Sequence, residues 1–588
     1  MAKATAQTFP GDEADEAGLV PYPMEAVLRY RTAGLWSGRP LPVELMSAAS
    51  THCGQTALIT PEGRWSYEEL FGAARQFAAG LLESTGLRPG DAVMFQMGNV
   101  AETVVSYLGC LLAAVRPVCT LPQHGVREIG VLAEHIGARG LILQADFGHG
   151  QLPERARTLV ARGVIEDVVV VRGDAAGGDA VAGSGAEGIG VRYEELLASG
   201  ATATAATPTA TADALPYHSG DLGQVAVFQL SGGTTGLPKI APRLHEEYAY
   251  NARAWAQKLG WSPGTVVLYP LPIMHNAGVA LALQPTLLSG ATLVLAPSAD
   301  VGTLLGLIES TRPEAIPLVP PALAIRLLDD PRSRTADLSS IKDFIVGGQK
   351  LAEEVAERLR DELGIAVRQK FGMAEGMFLV TPAHAGEEVR HHTVGEPISP
   401  ADEIRILRPG QDTEVPAGEI GELCVRGPYT IRGYYRARQH NAHAFTADGF
   451  YRTGDLARRH TIDGVTCYSI DGRIKDVINR GVEKIHADEV EELIVRHPAV
   501  SNAALVAMPD RVLGERGCAY LVLEPGGRPL TVQSLGAFLL AQGLAKYKLP
   551  ERVELVPELP LSNVGKVSKK ALREDVERKL AEESGADA

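Results

Sequence analysis

The chain has 588 residues, 45% of them hydrophobic and 22% charged, the balance of a globular protein whose length exceeds a single hydrophobic core. Its formal net charge of −15 argues against a nucleic-acid binder, which would show a basic face. Six scattered cysteines with no CxxC pair exclude a zinc site of that kind and fit reduced thiols rather than a disulfide framework.

Residues 1–22 open acidic and without an apolar core, so they read as a flexible leader and not as a secretory signal. Helical periodicity from Tyr67 to Leu82 is followed by the short apolar strand Ala92-Val93-Met94-Phe95, and this alternation continues to about residue 400. It predicts an α/β fold, with a large N-terminal domain of packed, helix-covered, mostly parallel sheets over residues 23–474. The longest apolar stretch, Val104 to Val115, stops at Arg116 and is too short to cross a bilayer; no membrane partner and a cytoplasmic location are expected. Residues 173–215, rich in Ala, Gly and Thr, read as a low-complexity insertion or surface loop. The composition changes near Asp471-Gly472-Arg473. Beyond it a small, mobile α+β C-terminal domain is expected over residues 475–588, with helices at Asp488–His497 and Leu535–Leu544 and a strand at Ala503–Met508.

The most telling segment follows the buried strand Val225-Ala226-Val227-Phe228. In Ser231-Gly232-Gly233-Thr234-Thr235-Gly236-Leu237-Pro238-Lys239, glycines permit a tight turn whose N–H groups approach an anion, while three hydroxyls and a lysine add donors. It is not the common phosphate loop, because Ile240 stands where GxxxxGK[ST] needs Ser or Thr. Alone, it would also serve as an ordinary glycine-rich turn.

Further motifs follow in order: Lys239-Ile240-Ala241-Pro242-Arg243-Leu244-His245, Pro272-Ile273-Met274-His275-Asn276, Phe371-Gly372-Met373-Ala374-Glu375-Gly376, Arg426-Gly427-Pro428-Tyr429-Thr430-Ile431-Arg432-Gly433-Tyr434-Tyr435, Asp448-Gly449-Phe450-Tyr451-Arg452-Thr453-Gly454-Asp455 and Val564-Gly565-Lys566-Val567-Ser568-Lys569-Lys570. From about Tyr22 to Leu580 the chain resembles the acyl-adenylate-forming superfamily, and within it the stand-alone aryl-acid adenylating enzymes such as 2,3-dihydroxybenzoate–AMP ligase. The resemblance implies activation of an aryl acid by ATP and Mg2+, then transfer to the phosphopantetheine thiol of a separate carrier protein in nonribosomal peptide or siderophore synthesis. It implies Lys566 as the catalytic lysine, although composition alone reads it as a solvated member of a basic tail. It implies ATP contacts from Ser231 to Gly236, Lys239, Gly348, Gly372, Glu375, Asp455, Arg473 and Lys566, with Glu375 also the magnesium ligand. Lys475 falls at the hinge position, and Gly481 at the thiol tunnel, where Val482 replaces a second glycine.

For the acid pocket the resemblance implies His275, Asn276, Ala277, Leu281, Gly347, Gly348, Lys370 and Phe378, with His275 beside the carboxylate. Asn276 stands where amino-acid-activating relatives carry an aspartate, and an ammonium buried beside a neutral amide is costly, so α-amino acids are disfavoured. Ala277 replaces a bulky aromatic and Leu281 a polar residue, while Lys370 and Phe378 stand where small apolar residues line the ring. An ortho-hydroxy or aza-aryl acid is expected, including bicyclic acids such as 3-hydroxyquinaldate or quinoxaline-2-carboxylate. The rivals are an aryl-CoA ligase and a 2,3-dihydroxybenzoate or salicylate ligase. A non-catalytic binder is disfavoured, because Thr235, Glu375, Asp455, Arg473 and Lys566 are all present.

Overall fold

A computed structural model describes residues 18–173, 189–206, 216–219, 221–231, 238–480, 483–510, 513–542, 544–561 and 567–586. Two large sheets dominate the N-terminal part. In the first, Val191–Arg192, Asp167–Val171, Ala138–Gln144, Ala92–Gln96, Arg116–Val118 and Val225–Ser231 run side by side in parallel, and Lys239–Leu244 returns antiparallel along the last. The second has nine strands, with Asp343–Gly347 and Val367–Gly372 adjacent and parallel and Phe378–Val380 turning back beside them. The central strands Ala92–Gln96 and Ala315–Val319 are buried throughout, as expected where helices cover both faces. The layer between sheets and helices joins Tyr107, Trp255, Tyr269, Leu281 and Phe378 in one buried cluster.

Local chemistry sets the element ends. The helix Tyr67–Ser84 begins at Ser66, whose hydroxyl accepts from the Glu69 N–H while Glu69 reaches back to the Ser66 N–H, satisfying two otherwise orphaned donors. Its long apolar face then packs on the helices Ala101–Leu112 and Tyr193–Ala206.

A third sheet is antiparallel, with strands Glu403–Leu407, Gly421–Arg426, Tyr451–Ile462 and Val465–Arg473 in that order. The single 3-10 turn Ile474–Asp476 connects it to the C-terminal sheet, so Lys475 sits in the short link between two independent hydrogen-bonded ladders. The C-terminal unit has its own core, built on Ile478, Val490, Leu505, Leu521, Leu535 and Leu539. Its observed elements include the helices Ala487–Ile494 and Val532–Ala541 and the strand Val500–Asp510, close to the expected positions.

Two sequence expectations need correction. Residues 18–22 are not a loose leader: Leu19 and Val20 are buried, and the Tyr22 hydroxyl donates to the Thr430 carbonyl at 2.6 Å. Within 173–215, residues 193–206 form a packed helix rather than a surface loop. A Cβ on Gly80 would lie 2.0 Å from the Leu196 carbonyl oxygen, and one on Gly200 would lie 1.8 Å from that of Gln76. The small residues there serve close helix packing. Residues 174–188 and 207–215 of that segment lie outside the described residues.

Candidate active site

The site is assembled where the ends of three sheets meet. Ser231 closes the strand Val225–Ser231 and pairs in register with Lys239, so the two ends of the loop expected to hold polyphosphate are fixed side by side. Gly232, Gly233, Thr234, Thr235 and Gly236 lie outside the described residues, as do Gly481 and Lys566.

Glu375 follows the strand Val367–Gly372 and is 4% exposed. Burial of a carboxylate is tolerable only with compensating donors. Three hydroxyls supply them: Ser231 and Tyr434 donate to Glu375 Oε1, and Tyr451 donates to the same atom at 3.3 Å. Tyr434 and Tyr451 are themselves 2.7 Å apart through their hydroxyls. Burial and the adjacent carboxylate push both phenols upward from their ordinary range, so they remain protonated donors. The Glu375 turn is held from behind by the wholly buried Arg243, which donates to the Ala374 carbonyl at 2.9 Å and to that of Tyr429 at 3.0 Å, with Glu247 as its counter-ion at 2.7 Å.

Lys239 lies over the Tyr434 ring, 5.0 Å from its centroid, and its ammonium is 2.9 Å from His440 Nε2. Burial lowers the ammonium pKa, and Glu375 opposes that shift. Burial, and secondarily Lys239, lowers that of His440, so a neutral imidazole accepts the bond.

Asp455 and Arg473 belong to separate stretches of sequence, and the antiparallel register of their strands sets them directly opposite, with Arg473 Nε 2.9 Å from Asp455 Oδ1. The aspartate raises the Arg473 pKa, fixing the cation beside the place expected for ribose. Lys475 lies two residues on, its pKa lowered by burial and then by Arg473. Among the remaining expected nucleotide and acid contacts, Gly348 has φ +92°, a backbone that glycine adopts without strain. A Cβ on Gly372 would meet the Phe378 ring at 2.3 Å, which keeps that strand flush against the ring.

The residues expected to line the acid pocket occupy a different layer. His275 Nδ1 accepts from the Ala277 N–H at 3.2 Å, capping the turn Asn276–Gly278 and placing the neutral ring's proton on Nε2. Asn99 supports this loop, donating to the carbonyls of Leu271 and Ala296 and accepting from the Ile273 N–H, each at 2.8 Å. Asn276 is 7% exposed, and its side-chain oxygen is buried without a hydrogen-bond partner. The helix continues through the π-turn Val279–Leu283, which carries the fully buried Leu281. Ala277, Leu281, Phe378 and Trp255 share one buried cluster, and Lys370 lies against Phe378 and Trp255. Gly347, opposite Lys370 in the sheet, completes that wall.

Sequence reasoning missed Asn99, Trp255, His440, Tyr434 and Tyr451 as site residues. The two tyrosines stand inside recognised motifs, but only the fold brings their hydroxyls to Glu375. Asn99 and Trp255 carry no motif at all.

The glycine-rich strand end, the buried carboxylate ringed by hydroxyls and the Asp–Arg pair beside the inter-sheet link suit an adenylate-forming ligase. The chain belongs to the AMP-binding enzyme family: its model matches residues 45–435, and that of the AMP-binding enzyme C-terminal domain matches residues 489–566. The chain is 41% identical to a salicylyl-CoA synthase / salicylate adenylyltransferase of Streptomyces sp, over 96% of this chain and 98% of that protein. It is 37% identical to the 2,3-dihydroxybenzoate-AMP ligase of Bacillus subtilis, over 96% and 98%. The apo structure of Mycobacterium smegmatis MbtA superposes with a TM-score of 0.69 at 36% identity, covering 95% of this chain and 99% of that one. No helix among the described residues is long and apolar enough to cross a membrane.

Proposed function

We propose that this enzyme activates an aryl carboxylic acid with ATP and passes the aryl group to the phosphopantetheine thiol of a separate carrier protein, in nonribosomal peptide or siderophore synthesis. A carboxylate oxygen of the acid attacks the α-phosphorus; the bond to the bridging oxygen of the diphosphate breaks, and aryl-AMP forms. Attack joins two anions, so each cation or donor aimed at the developing charge contributes strongly, about 3 kcal/mol for a single well-placed group. Lys239 and the loop from Ser231 to Gly236 serve the leaving diphosphate, Asp455 the ribose hydroxyls and Arg473 the ribose and phosphate. Glu375, a hard oxygen donor fixed by three hydroxyls, suits a magnesium ion that retains several waters, and the ion would neutralise phosphate charge there. Lys566 then bridges the carboxylate and α-phosphate oxygens.

The single observation that carries the choice of acid is Asn276, whose side-chain oxygen is buried and without a hydrogen-bond partner. A neutral acceptor suits a hydroxyl ortho to the carboxylate and offers no counter-ion to an α-ammonium. Leu281 offers no partner to a second ring hydroxyl. Ortho-hydroxy aryl acids such as 3-hydroxyquinaldate, which donate to that oxygen, are the proposed class, together with aza-aryl acids such as quinoxaline-2-carboxylate, whose ring nitrogen would instead need a donor such as the Asn276 amide N–H. The test is diphosphate exchange over a panel of aryl acids, with mass spectrometry of the acyl-AMP. Absence of aryl-AMP with every acid would refute the assignment; a strong preference for 2,3-dihydroxybenzoate would refute the pocket argument.

Transfer requires a second arrangement of the small domain, rotating about Lys475. Between the two units, Lys350 pairs with Glu492 at 2.8 Å and Arg496 with Glu354 at 3.7 Å, all half-exposed. Such pairs are worth at most about 1 kcal/mol each, so they are readily exchanged during a rotation. The likeness to the Streptomyces salicylyl-CoA synthase / salicylate adenylyltransferase favours a second reading, with free CoA as the thiol acceptor. Comparing kcat/KM for CoA and for a loaded carrier protein decides between them.

A further inference from the structure

A cluster of imidazoles and carboxylates lies apart from the residues assigned above. Glu353 and Glu357 stand about one turn apart on the helix Glu353–Leu363, so their side chains share a face. His391 and His392 end the short helix Glu387–His392, which packs beside it. Glu353, Glu357 and His391 each bring a donor atom within 4.8 Å of the others. His391 Nδ1 is 3.3 Å from Glu353 Oε1, and His392 Nε2 lies 3.7 Å from the same oxygen. Consecutive helical side chains diverge by about 100°, yet at this helix end two adjacent imidazoles turn toward one carboxylate.

The cluster is braced from behind. Gln369, on the strand Val367–Gly372, donates to the carbonyls of Arg390 at 2.8 Å and His391 at 2.9 Å, and its Oε1 accepts from the Leu351 N–H at 3.4 Å. Arg390 holds the same short helix by donating to the Ala385 and Val367 carbonyls at 2.9 and 3.1 Å. The His391 side chain is only 10% exposed, so its ring is held in place, whereas Glu357 is exposed and can close onto an ion. A tetrahedral ion with bonds of about 2.1 Å sets its ligand atoms about 3.4 Å apart, close to both histidine–Glu353 separations. Two carboxylates balance a divalent charge. Imidazole mixed with carboxylate suits zinc, unlike the all-oxygen shell of magnesium.

We infer that Glu353, Glu357, His391 and His392 form a binding site for a divalent transition-metal ion, zinc by its ligand chemistry, that clamps the helices Glu353–Leu363 and Glu387–His392 together. The site is independent of the aryl-acid reading and goes beyond it. Its role is structural: through Gln369 and Leu351 the clamp stiffens the segment that follows Gly347 and Gly348, next to the Glu354–Arg496 contact with the small domain.

The test is calorimetric titration of Zn2+ into metal-free full-length protein, in buffer that contains Mg2+. The wild type should bind one Zn2+ per chain and melt at a higher temperature with the ion than without it. His391→Gln should weaken binding by at least the roughly 10- to 100-fold that loss of an outer-shell partner costs. His391→Gln with His392→Asn should abolish the saturable step and the rise in melting temperature. Glu354→Gln, beside the cluster but outside it, should bind as the wild type does. Melts without zinc check folding, and should the histidine variants unfold, Glu357→Gln at its exposed position gives the same reading. Absence of a stoichiometric step in the wild type, survival of that step in the double variant, or an equal loss in Glu354→Gln overturns the proposal. Diphosphate exchange is measured separately, so none of these results bears on aryl-acid activation.

Discussion

Gly376 and Tyr429 touch backbone to backbone: a Cβ built on Gly376 would lie 1.8 Å from the Tyr429 carbonyl oxygen, and the glycine has φ +92°. Met377 follows with φ +103°, a conformation that a residue bearing a side chain rarely adopts. The turn after Glu375 is therefore pressed onto the segment Tyr429–Ile431, and the Ile431 N–H donates to the Glu375 carbonyl at 2.8 Å.

Gly376→Ala should displace the Glu375 carboxylate from its three hydroxyls. The strained backbone costs about 1–3 kcal/mol, and the carbonyl clash adds to it. The expected outcome is a lowered melting temperature and a fall of roughly 100-fold or more in diphosphate exchange. Normal exchange with an unchanged melt would show that the turn relaxes without moving Glu375.

Arg243 and Glu247 form a buried pair behind the same turn, with side chains 0% and 1% exposed. Removing one partner leaves an uncompensated charge in the core. Arg243→Met should destabilise the N-terminal domain by about 3–5 kcal/mol, read as an earlier thermal transition of that domain. Replacing both, with Glu247→Leu added, should recover part of that loss, because no lone charge then remains. The Ala374 and Tyr429 carbonyls would still lack their donor, so recovery stays incomplete.

Asp402 offers a pH test. Burial pushes its carboxyl up to about 8, against the opposing effects of the Tyr429 hydroxyl at 2.7 Å and the Ser399 N–H. The folded protein keeps this proton to about pH 8, whereas the unfolded chain releases it near 4. The stabilisation is thus fully present below about pH 4 and is lost as pH rises through about 8, at a slope of at most ~1.4 kcal/mol per pH unit. Asp402→Asn mimics the protonated acid. It should leave the melting temperature unchanged near pH 4 and raise it at pH 8; equal shifts at both values would show that Asp402 is ionised in the folded protein.

The sequence made the phosphate-loop strand and the order of the motifs legible, because each is a contiguous pattern with a local physical cause. The α/β class likewise followed from alternating strand and helix patterns. What stayed hidden depends on long-range closure. Tyr434 and Tyr451 reach Glu375 across 59 and 76 residues of chain, and their spacing carries no trace of the shared carboxylate. Asp455 and Arg473 were recognisable separately, but their contact comes from strand register. The helix 193–206 was misread because Ala and Gly signal flexibility in composition, yet equally allow helices to approach until a Cβ would collide. Leu19 to Tyr22 were misread because an acidic leader gives no sign of where packing begins.

The last prediction separates the two half-reactions. Lys566 itself lies outside the described residues, but both ends of its loop are fixed. Leu561 and Val567 form an antiparallel bridge, and the Ser568 N–H donates to the Pro560 carbonyl at 2.7 Å. Just beyond, Lys569 is anchored at 3.0 Å to Asp488 and 2.9 Å to Glu491, and these carboxylates raise its pKa against the lowering effect of burial. The ends of the loop are thus fixed to the small domain on a firm base, and on the proposed mechanism rotation about Lys475 would move the loop. If Lys566 serves only adenylation, Lys566→Ala should cut diphosphate exchange by roughly 100- to 1,000-fold. Thioester formation from supplied aryl-AMP should then fall less than about tenfold if, as proposed, that step takes place with the small domain turned away. Rapid-quench measurement of each half-reaction reads both numbers. Equal losses in the two steps would mean that the lysine loop never leaves the site, and that one arrangement of the domains performs both reactions.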